Sequence, residues 1–386
     1  MPSVQTRYGE LVVPDTEQDV VGRFLKSHGE WGEAETSFIG TNLADGARVL
    51  DVGAFVGTFG LSLSQKRRLD FICFVEPNPS VIPLLEQNVQ RNCMVRAAVV
   101  DRLVAPAFFE PKKATMVQGN LGSVSFAAHA GASRQEVLFE VPKPVRLATL
   151  REEFGPFDLI KLDAEGMELD ILSDDAPALA QTDVTIWVEC NETVTALEMA
   201  GLLVSLGRPV YYVTCPVYLP DNFRHSTDPI FPFACEAGLF VHSGAPPILA
   251  RRLQDAGARV VPIDGQESLR EALWRTPRWA PAEWWGPSMH EVIALAIRKS
   301  CGQDYASFLS QVPAPQNETI PELRAALAEL QEIADSRLLG LRAAHERLAR
   351  LRQKLELQAF QRQEAAADQA SIEKAAGEPT TNPFLD

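Results

Sequence analysis

"RVLDVGAFVGTFG", Arg48 to Gly60, sets an acid at the end of an apolar strand and follows it with three spaced glycines. "RVLDV" reads as a buried strand ending near Asp51, and "GAFVG" turns into a helix over 56–66. A strand–turn–helix of this kind places backbone N–H groups and a positive helix end beside whatever binds at the strand's carboxyl edge. Gly53 and Gly57 are expected to let a ligand approach where a side chain would collide. The dinucleotide fingerprint has one residue between its first two glycines, whereas here three separate Gly53 from Gly57 and an acid precedes them. That disfavours pyrophosphate. A carboxylate at this position suits a cationic ligand, an ammonium or a sulfonium.

Outward from this motif, short apolar runs alternate with helical segments. The runs are 48–52, 71–76, 95–100, 158–163, 184–189, 209–214 and 238–242, with helices between them at 56–66, 79–91, 168–181 and 193–206. Strands apolar almost throughout, separated by helices, imply an α/β fold with a mostly parallel sheet covered on both faces. Residues 105–141 break the rhythm, and "APAFFE", "GSVSF" and "EVLFEV" read as an antiparallel elaboration. Upstream, 15–45 reads as an amphipathic helix pair. Downstream, "LARRLQDAGARVVPID" at 249–264 reads as one more helix–strand unit, and the tryptophan-rich 274–285 as a packing cap.

From about Ile320 leucines and alanines recur in steps of four and three, which is a heptad seam. The resulting division is an N-terminal helical cap (1–47), a main domain (48–244), a C-terminal extension (245–316), a coiled coil (317–362) and a disordered tail (363–386). A homo-oligomer formed through 320–358 is expected.

Two further acids stand where Asp51 does. Glu76 ends the second strand, roughly twenty residues past the turn, as expected of an acid that accepts hydrogen bonds from ribose hydroxyls. Asn78 then reads as a helix N-cap with Pro79 at the first helical position. Asp101 follows the third strand, where an acceptor could meet an adenine amino group. One such acid is an ordinary turn residue; three in this order converge on the crevice of an open parallel sheet.

The bulk composition sets limits. At 386 residues with 46% hydrophobic content, the chain exceeds one average domain and can fill a core. A formal charge of −15 argues against nucleic acid or an anionic membrane as the main partner. Six scattered cysteines, with no C-x-x-C pair, read as reduced thiols of a cytoplasmic protein. The first twenty residues hold no apolar signal core, and no run approaches a membrane span.

These motifs resemble the class I S-adenosylmethionine-dependent methyltransferases, and more closely the FkbM-type family. The resemblance rests on "VLDVGAFVGTF" (49–59), "FVEPNPSVIPLLEQNVQRN" (74–92), "LATL" (147–150) with "FDLIKLDAEGMELDIL" (157–172), and "IWVECNE" (186–192). It covers roughly 15–242, and "IKLDAEGMELDIL" is its most specific block. Phe55 stands where the family more often has a small polar residue. The resemblance implies a Rossmann-like doubly wound seven-stranded sheet and O-methylation of a carbohydrate hydroxyl, in a surface polysaccharide or glycan intermediate, or of a natural product. It places S-adenosyl-L-methionine against Asp51, Gly53, Ala54, Phe55 and Gly57 on its methionine and ribose side. Glu76, with Pro77 and Asn78, falls at the ribose diol, Asp101 near the adenine, and Asp163 beside the reacting methyl.

Because a sulfonium methyl is already activated, in-line placement of the acceptor should supply most of the rate enhancement, with a base adding less. Asp163, Glu165, Glu189 and His225 (in the long proline-rich loop 215–235) are the candidates. Glu168 begins a helix, where an acid is favoured anyway. The remaining histidines show no ligand spacing, and no metal is assigned. A different reading makes the chain a coiled-coil scaffold or regulatory subunit of a glycan-assembly complex with a vestigial cofactor pocket. A nicotinamide oxidoreductase is disfavoured by the glycine spacing. If the heptads self-associate, light scattering on a chain ended near Gln316 gives a smaller assembly than the full chain, whereas equal masses mean the helix packs in cis.

Overall fold

Asp51's strand lies in the middle of an eight-stranded sheet. The computed structural model describes residues 2–16, 18–109, 114–117, 119–126, 134–137, 142–191, 193–230 and 234–274. The chain divides into two units, Met1–Leu309 and Ser310–Asp386, and all described residues belong to the first. The expected coiled coil, the tail and the tryptophan-rich segment beyond Trp274 lie outside the described residues.

Numbering only the strands of the main sheet, β1 is Ala47–Val52, β2 Leu69–Val75, β3 Ala97–Val100 and β4 Leu159–Leu162. β5 is Thr185–Glu189, β6 Val210–Pro216, β7 Cys235–Val241 and β8 Arg259–Ile263. Their spatial order is β3-β2-β1-β4-β5-β7-β6-β8. β1 to β5 pair in parallel, while β7 runs antiparallel to both β5 and β6, and β8 antiparallel to β6. The expected seven strands therefore become eight. The addition is β8, from the unit read at 249–264, whose register sets Ile263 against Val210.

Alternation along each strand feeds two cores. Leu50, Val52, Cys73, Val75, Ile160 and Leu162 face one side, and Val49, Ile72, Phe74, Leu159 and Trp187 the other. On the first side lie α5 (Leu147–Phe154), α6 (Glu168–Leu179), α7 (Val194–Ser205) and α9 (Gln266–Trp274). On the second lie α2 (Glu33–Thr41), α3 (Thr58–Lys66), α4 (Ile82–Asn92) and α8 (Arg251–Asp255), with α1 (Val20–His28) beside them. The α4 helix begins at Ile82, later than the sequence reading, because Asn78 closes a turn first: its side chain accepts from Ser80 N–H (3.0 Å) and its carbonyl from Val81 N–H (2.9 Å).

The N-terminal cap is not wholly helical. Ser3–Thr6 and Gly9–Val12 form an antiparallel hairpin, turned at Gly9 with φ +109°. Of the elaboration at 105–141, the described part contains the antiparallel pair Thr115–Val117 and Arg134–Glu136, plus a 3-10 turn at Leu121–Ser123. Of "APAFFE", the described residues 105–109 form a turn rather than a strand, and Phe108 is exposed. Among the described residues no helix is long and apolar enough to cross a membrane. Cys73, Cys93, Cys190, Cys215 and Cys235 carry free thiols.

Asn88 of α4 ties the hairpin to the sheet domain. Its side chain accepts from Val12 N–H (2.7 Å) and donates to the carbonyls of Val12 (2.9 Å) and Val56 (3.0 Å), all in buried surroundings. Asn88→Ala leaves three buried backbone groups without partners, so a loss of about 2–4 kcal/mol is expected from urea unfolding. A change below the error of that measurement would show the tether to be idle.

Candidate active site

Cross-strand register sets the first element of the site. Lys161 of β4 lies opposite Asp51 of β1, on the same face of two adjacent strands. Both are buried, and Lys161 Nζ stands 3.4 Å from Asp51 Oδ1 and 3.2 Å from Asp163 Oδ2. It also donates to the Gly53 carbonyl at 3.1 Å. Burial alone would push the Lys161 pKa down; Asp163, Asp51 and Glu35 outweigh it and leave it above its ordinary value. Burial raises the Asp51 carboxyl, with Lys161 pulling the other way. Asp51 is therefore engaged by a lysine within the sheet and does not line the cavity described below, contrary to the expectation that it meets a cationic ligand.

The glycines also serve the chain itself. Gly53 has φ +74°, and a Cβ there would lie 1.8 Å from the Asp163 carbonyl oxygen. Its smallness lets β1 and β4 close together at their ends. Gly57, at φ +90°, begins α3, and a Cβ on Gly60 would strike the Phe74 ring at 2.3 Å. Neither Gly57 nor Gly60 lines the cavity.

That cavity, of about 330 Å³, opens at the carboxyl ends of the strands around the switch between β1 and β4. Gly53, Ala54 and Phe55 enter it after β1, Glu76 and Pro77 after β2, and Asp163, Ala164 and Glu165 after β4. Glu189 closes β5, and Glu236 comes from the start of the reversed β7. Val20, Val21 and Trp31 cover it from the α1 side, together with Asn120, Leu121 and Gly122. The two covers are joined where Thr16 Oγ donates to the Gly119 carbonyl (2.6 Å). Asp19 caps α1 by accepting from Gly22 N–H at 2.6 Å.

Glu76 is held in place by backbone. Its Oε2 accepts from Phe55 N–H and its Oε1 from Asn78 N–H, both at 2.8 Å. Burial, opposed by those two amides, lifts its pKa to about 7. Each oxygen keeps a lone pair for a further donor. Phe55 lies at φ +49° and Glu165 at +51°. Such left-handed conformations favour Asn and Asp over bulky residues. The Phe55 ring contributes instead a wall toward Gly122.

The remaining sequence-predicted residues divide sharply. Asn78 supports Glu76 and donates to the Leu121 carbonyl (3.2 Å), outside the cavity lining. Asp101 is exposed and does not line the cavity; its neighbour Arg102 does, paired with Glu153 at 2.8 Å. His225 is exposed at φ +55° and also lies outside the lining. Its loop is fastened instead to the N-terminal elements, through Arg224 N–H to the His28 carbonyl (3.0 Å) and Phe223 N–H to Glu30 Oε2 (3.0 Å). Glu168, in the first turn of α6, accepts from the amides of Ala164 (2.7 Å) and Gly166 (3.1 Å) in the turn that precedes the helix.

Asp163, Glu168 and Glu189 bring carboxylate oxygens within 4.8 Å of one another. Glu168 is committed to amides and Asp163 to Lys161, so the group is read without a metal. Sequence reasoning missed Lys161, Glu35, Glu236 and Arg102. Lys161 had a signal: a lone cation inside the apolar strand "LIKL" needs an anionic partner.

The sheet order, with its switch point beside strand-end acids, defines a Rossmann-like α/β fold. Residues 51–207 match the family described as the methyltransferase FkbM domain. Among solved structures the chain is similar to methyltransferase FkbM from Methylobacillus flagellatus KT, at 15% identity over 52% of this chain and 44% of that one, TM-score 0.31. It is also similar to precorrin-6y C5,15-methyltransferase from Geobacter metallireducens GS-15, at 14% identity over 55% and 86% of the two chains, TM-score 0.34. A third is precorrin 8W decarboxylase from Methanobacterium thermoautotrophicum, at 14% over 54% and 87%, TM-score 0.32. The chain spans under half the length of the first of these. No curated protein matches it.

Lys161→Met leaves Asp51 buried without its cation, and a loss of about 3–5 kcal/mol at pH 7 is expected. The raised Asp51 pKa fixes the sign of the pH dependence: the loss shrinks as pH falls and Asp51 takes a proton. Urea unfolding at two pH values checks both.

Proposed function

We propose that the protein is an S-adenosylmethionine-dependent O-methyltransferase acting on a hydroxyl of a carbohydrate, in a surface polysaccharide or glycan intermediate, or of a natural product. The observation that carries this reading is Glu76, a buried carboxylate at the end of β2 that faces the cavity with a lone pair free on each oxygen. That chemistry fits the two hydroxyls of a ribose, and Ala54, Phe55 and Pro77 flank it. Gly53 keeps its place in the set by holding β1 against the Asp163 carbonyl. Asp51, Gly57 and Asn78 act from behind, and Asp101 and His225 have no part in the cavity.

S-adenosylmethionine supplies a methyl group activated by its sulfonium charge. Toward that charge the chain presents Asp163, Glu165 and Glu189, with Asp163 oriented by Lys161. Among the described residues the cavity wall carries six carboxylates against two cations, Lys161 and Arg102. Such a field favours a sulfonium and repels phosphate or carboxylate on the acceptor, which supports an uncharged hydroxyl. Covering segments on both sides exclude water and hold the acceptor in line. A cytoplasmic setting and self-association through 320–358 belong to the same proposal, supported by the sequence pattern.

Calorimetry with S-adenosylmethionine and S-adenosylhomocysteine tests the reading, with micromolar binding of both expected. Above pH 7 the Glu76 carboxylate accepts from both ribose hydroxyls; below it the added proton occupies one acceptor. Homocysteine-form affinity should thus fall up to about tenfold per pH unit below 7, and Glu76→Gln should abolish that dependence. No binding of either compound disposes of the reading. A flat pH response removes Glu76 from the ribose.

A further inference from the structure

We propose that Glu35 is the proton acceptor of this site: neutral in the free protein, it ionises when the sulfonium donor binds and then takes the acceptor's hydroxyl proton. The proposal rests on the methyltransferase reading above. In the step it describes, the acceptor oxygen bonds to the methyl carbon and the carbon–sulfur bond breaks, its electron pair staying on sulfur. The hydroxyl proton goes to the Glu35 carboxylate, so charge and atoms balance.

Position is the first argument. Glu35 is the third residue of α2 and lines the cavity beside Lys161, Asp163 and Glu236. The helix is clamped so that this face cannot turn away. Phe38 packs edge-on against Phe240 of β7, ring centroids 5.1 Å apart. Thr36 Oγ meets Ser62 Oγ of α3 at 2.8 Å, and Lys66 Nζ of α3 holds Glu33 Oε2 at 2.7 Å.

The second argument is what Glu35 does not do. A glutamate in the first turn ordinarily reaches back to the helix's own terminal amides or complements its dipole. Here the α2 N-terminus receives no side-chain cap. Among the described residues the Glu35 carboxylate makes no hydrogen bond or ion pair. The neighbouring acids are committed: Asp163 to Lys161 (3.2 Å), Glu76 to two amides and Glu189 to Asn191 Nδ2 (2.7 Å).

Electrostatics gives the third. Burial, the largest cause, together with Glu236 of β7, Asp163 after β4 and Asp51 of β1 outweighs Lys161 and raises the Glu35 pKa to about 8. Cys215 of β6 is the other titratable group facing it, and Lys66 of α3 is spent on Glu33. A carboxyl near the working pH is well matched to accept a proton. A cation brought into the same cavity favours its charged form.

The test is calorimetry at pH 7 in two buffers of different ionisation enthalpy, which counts protons released on binding. Glu76 contributes equally with both compounds, so the difference between S-adenosylmethionine and the uncharged S-adenosylhomocysteine isolates the sulfonium. Wild type should release close to one proton more with the sulfonium. Glu35→Gln should lose that excess while binding S-adenosylhomocysteine as wild type does, which also shows that it folds. Glu35→Asp should retain the excess, and serves if the glutamine variant does not fold. No excess in wild type, or the same excess in Glu35→Gln, overturns the proposal while leaving the methyltransferase reading standing. Failure of both compounds to bind wild type removes that reading and the proposal with it. With methyl glycosides and catechol as acceptor probes, Glu35→Gln should lower kcat by about 10²–10⁴-fold. An unchanged kcat overturns the base role.

Discussion

A lysine inside an otherwise apolar strand governs the geometry of this protein. Lys161 is buried in β4 and pairs with two acids from different segments, Asp51 in β1 and Asp163 beyond β4, while Glu35 of α2 acts on it only through space. Burying Lys161 or Asp51 alone as a charge would cost several kcal/mol. Together they are tolerable only in one register, with Lys161 opposite Asp51. That register brings the Asp163 carbonyl against Gly53, where no side chain larger than hydrogen fits. The ends of β1 and β4, and hence the floor of the cavity, follow from it.

The architecture was legible because parallel strands covered on both faces are written as short continuous apolar runs. All seven expected strands are present, with ends displaced by up to three residues. The eighth, 259–263, was visible as a helix–strand unit, though nothing in its sequence told where in the sheet it would pair. The hairpin at 3–12 was missed because strand pairs of four residues carry too little periodicity to register. Beyond β3, short segments of two or three residues form the sheet pairs 103–104 with 144–145 and 115–117 with 134–136. No alternation pattern develops over such lengths.

The site was legible in part, and the errors share a cause. Strand-end acids were taken to face one crevice, but position along the chain does not say which way a side chain turns. Glu76 faces the cavity because two amides hold it there, whereas Asp101, one residue before Arg102, is turned to solvent. The glycines were read as room for a ligand, yet the atoms nearest to them belong to Asp163, Leu85 and Phe74. Glu35 carried no signal, since an acid in a first helical turn is the commonest of surface residues. Only the packing of α2 on the sheet distinguishes it from Glu33, two positions away and tied to Lys66.

The cavity is assembled from parts of the chain inside and outside the stretch that matches the family. Residues 51–207 match the family, and they furnish Gly53, Ala54, Glu76 and Asp163. Val20, Val21, Trp31 and Glu35 precede that stretch, and Glu236 follows it. Val20 and Val21 sit on α1, Glu35 on α2 and Glu236 on β7, and the N-terminal elements are tied down through Asn88 to Val12 and through the His28 and Glu30 contacts of the 223–224 loop. The floor of the cavity and its cover are therefore fastened separately. Residues such as Trp31 or Val21 could be exchanged, and the shape of the cavity altered, without disturbing the ionic knot beneath.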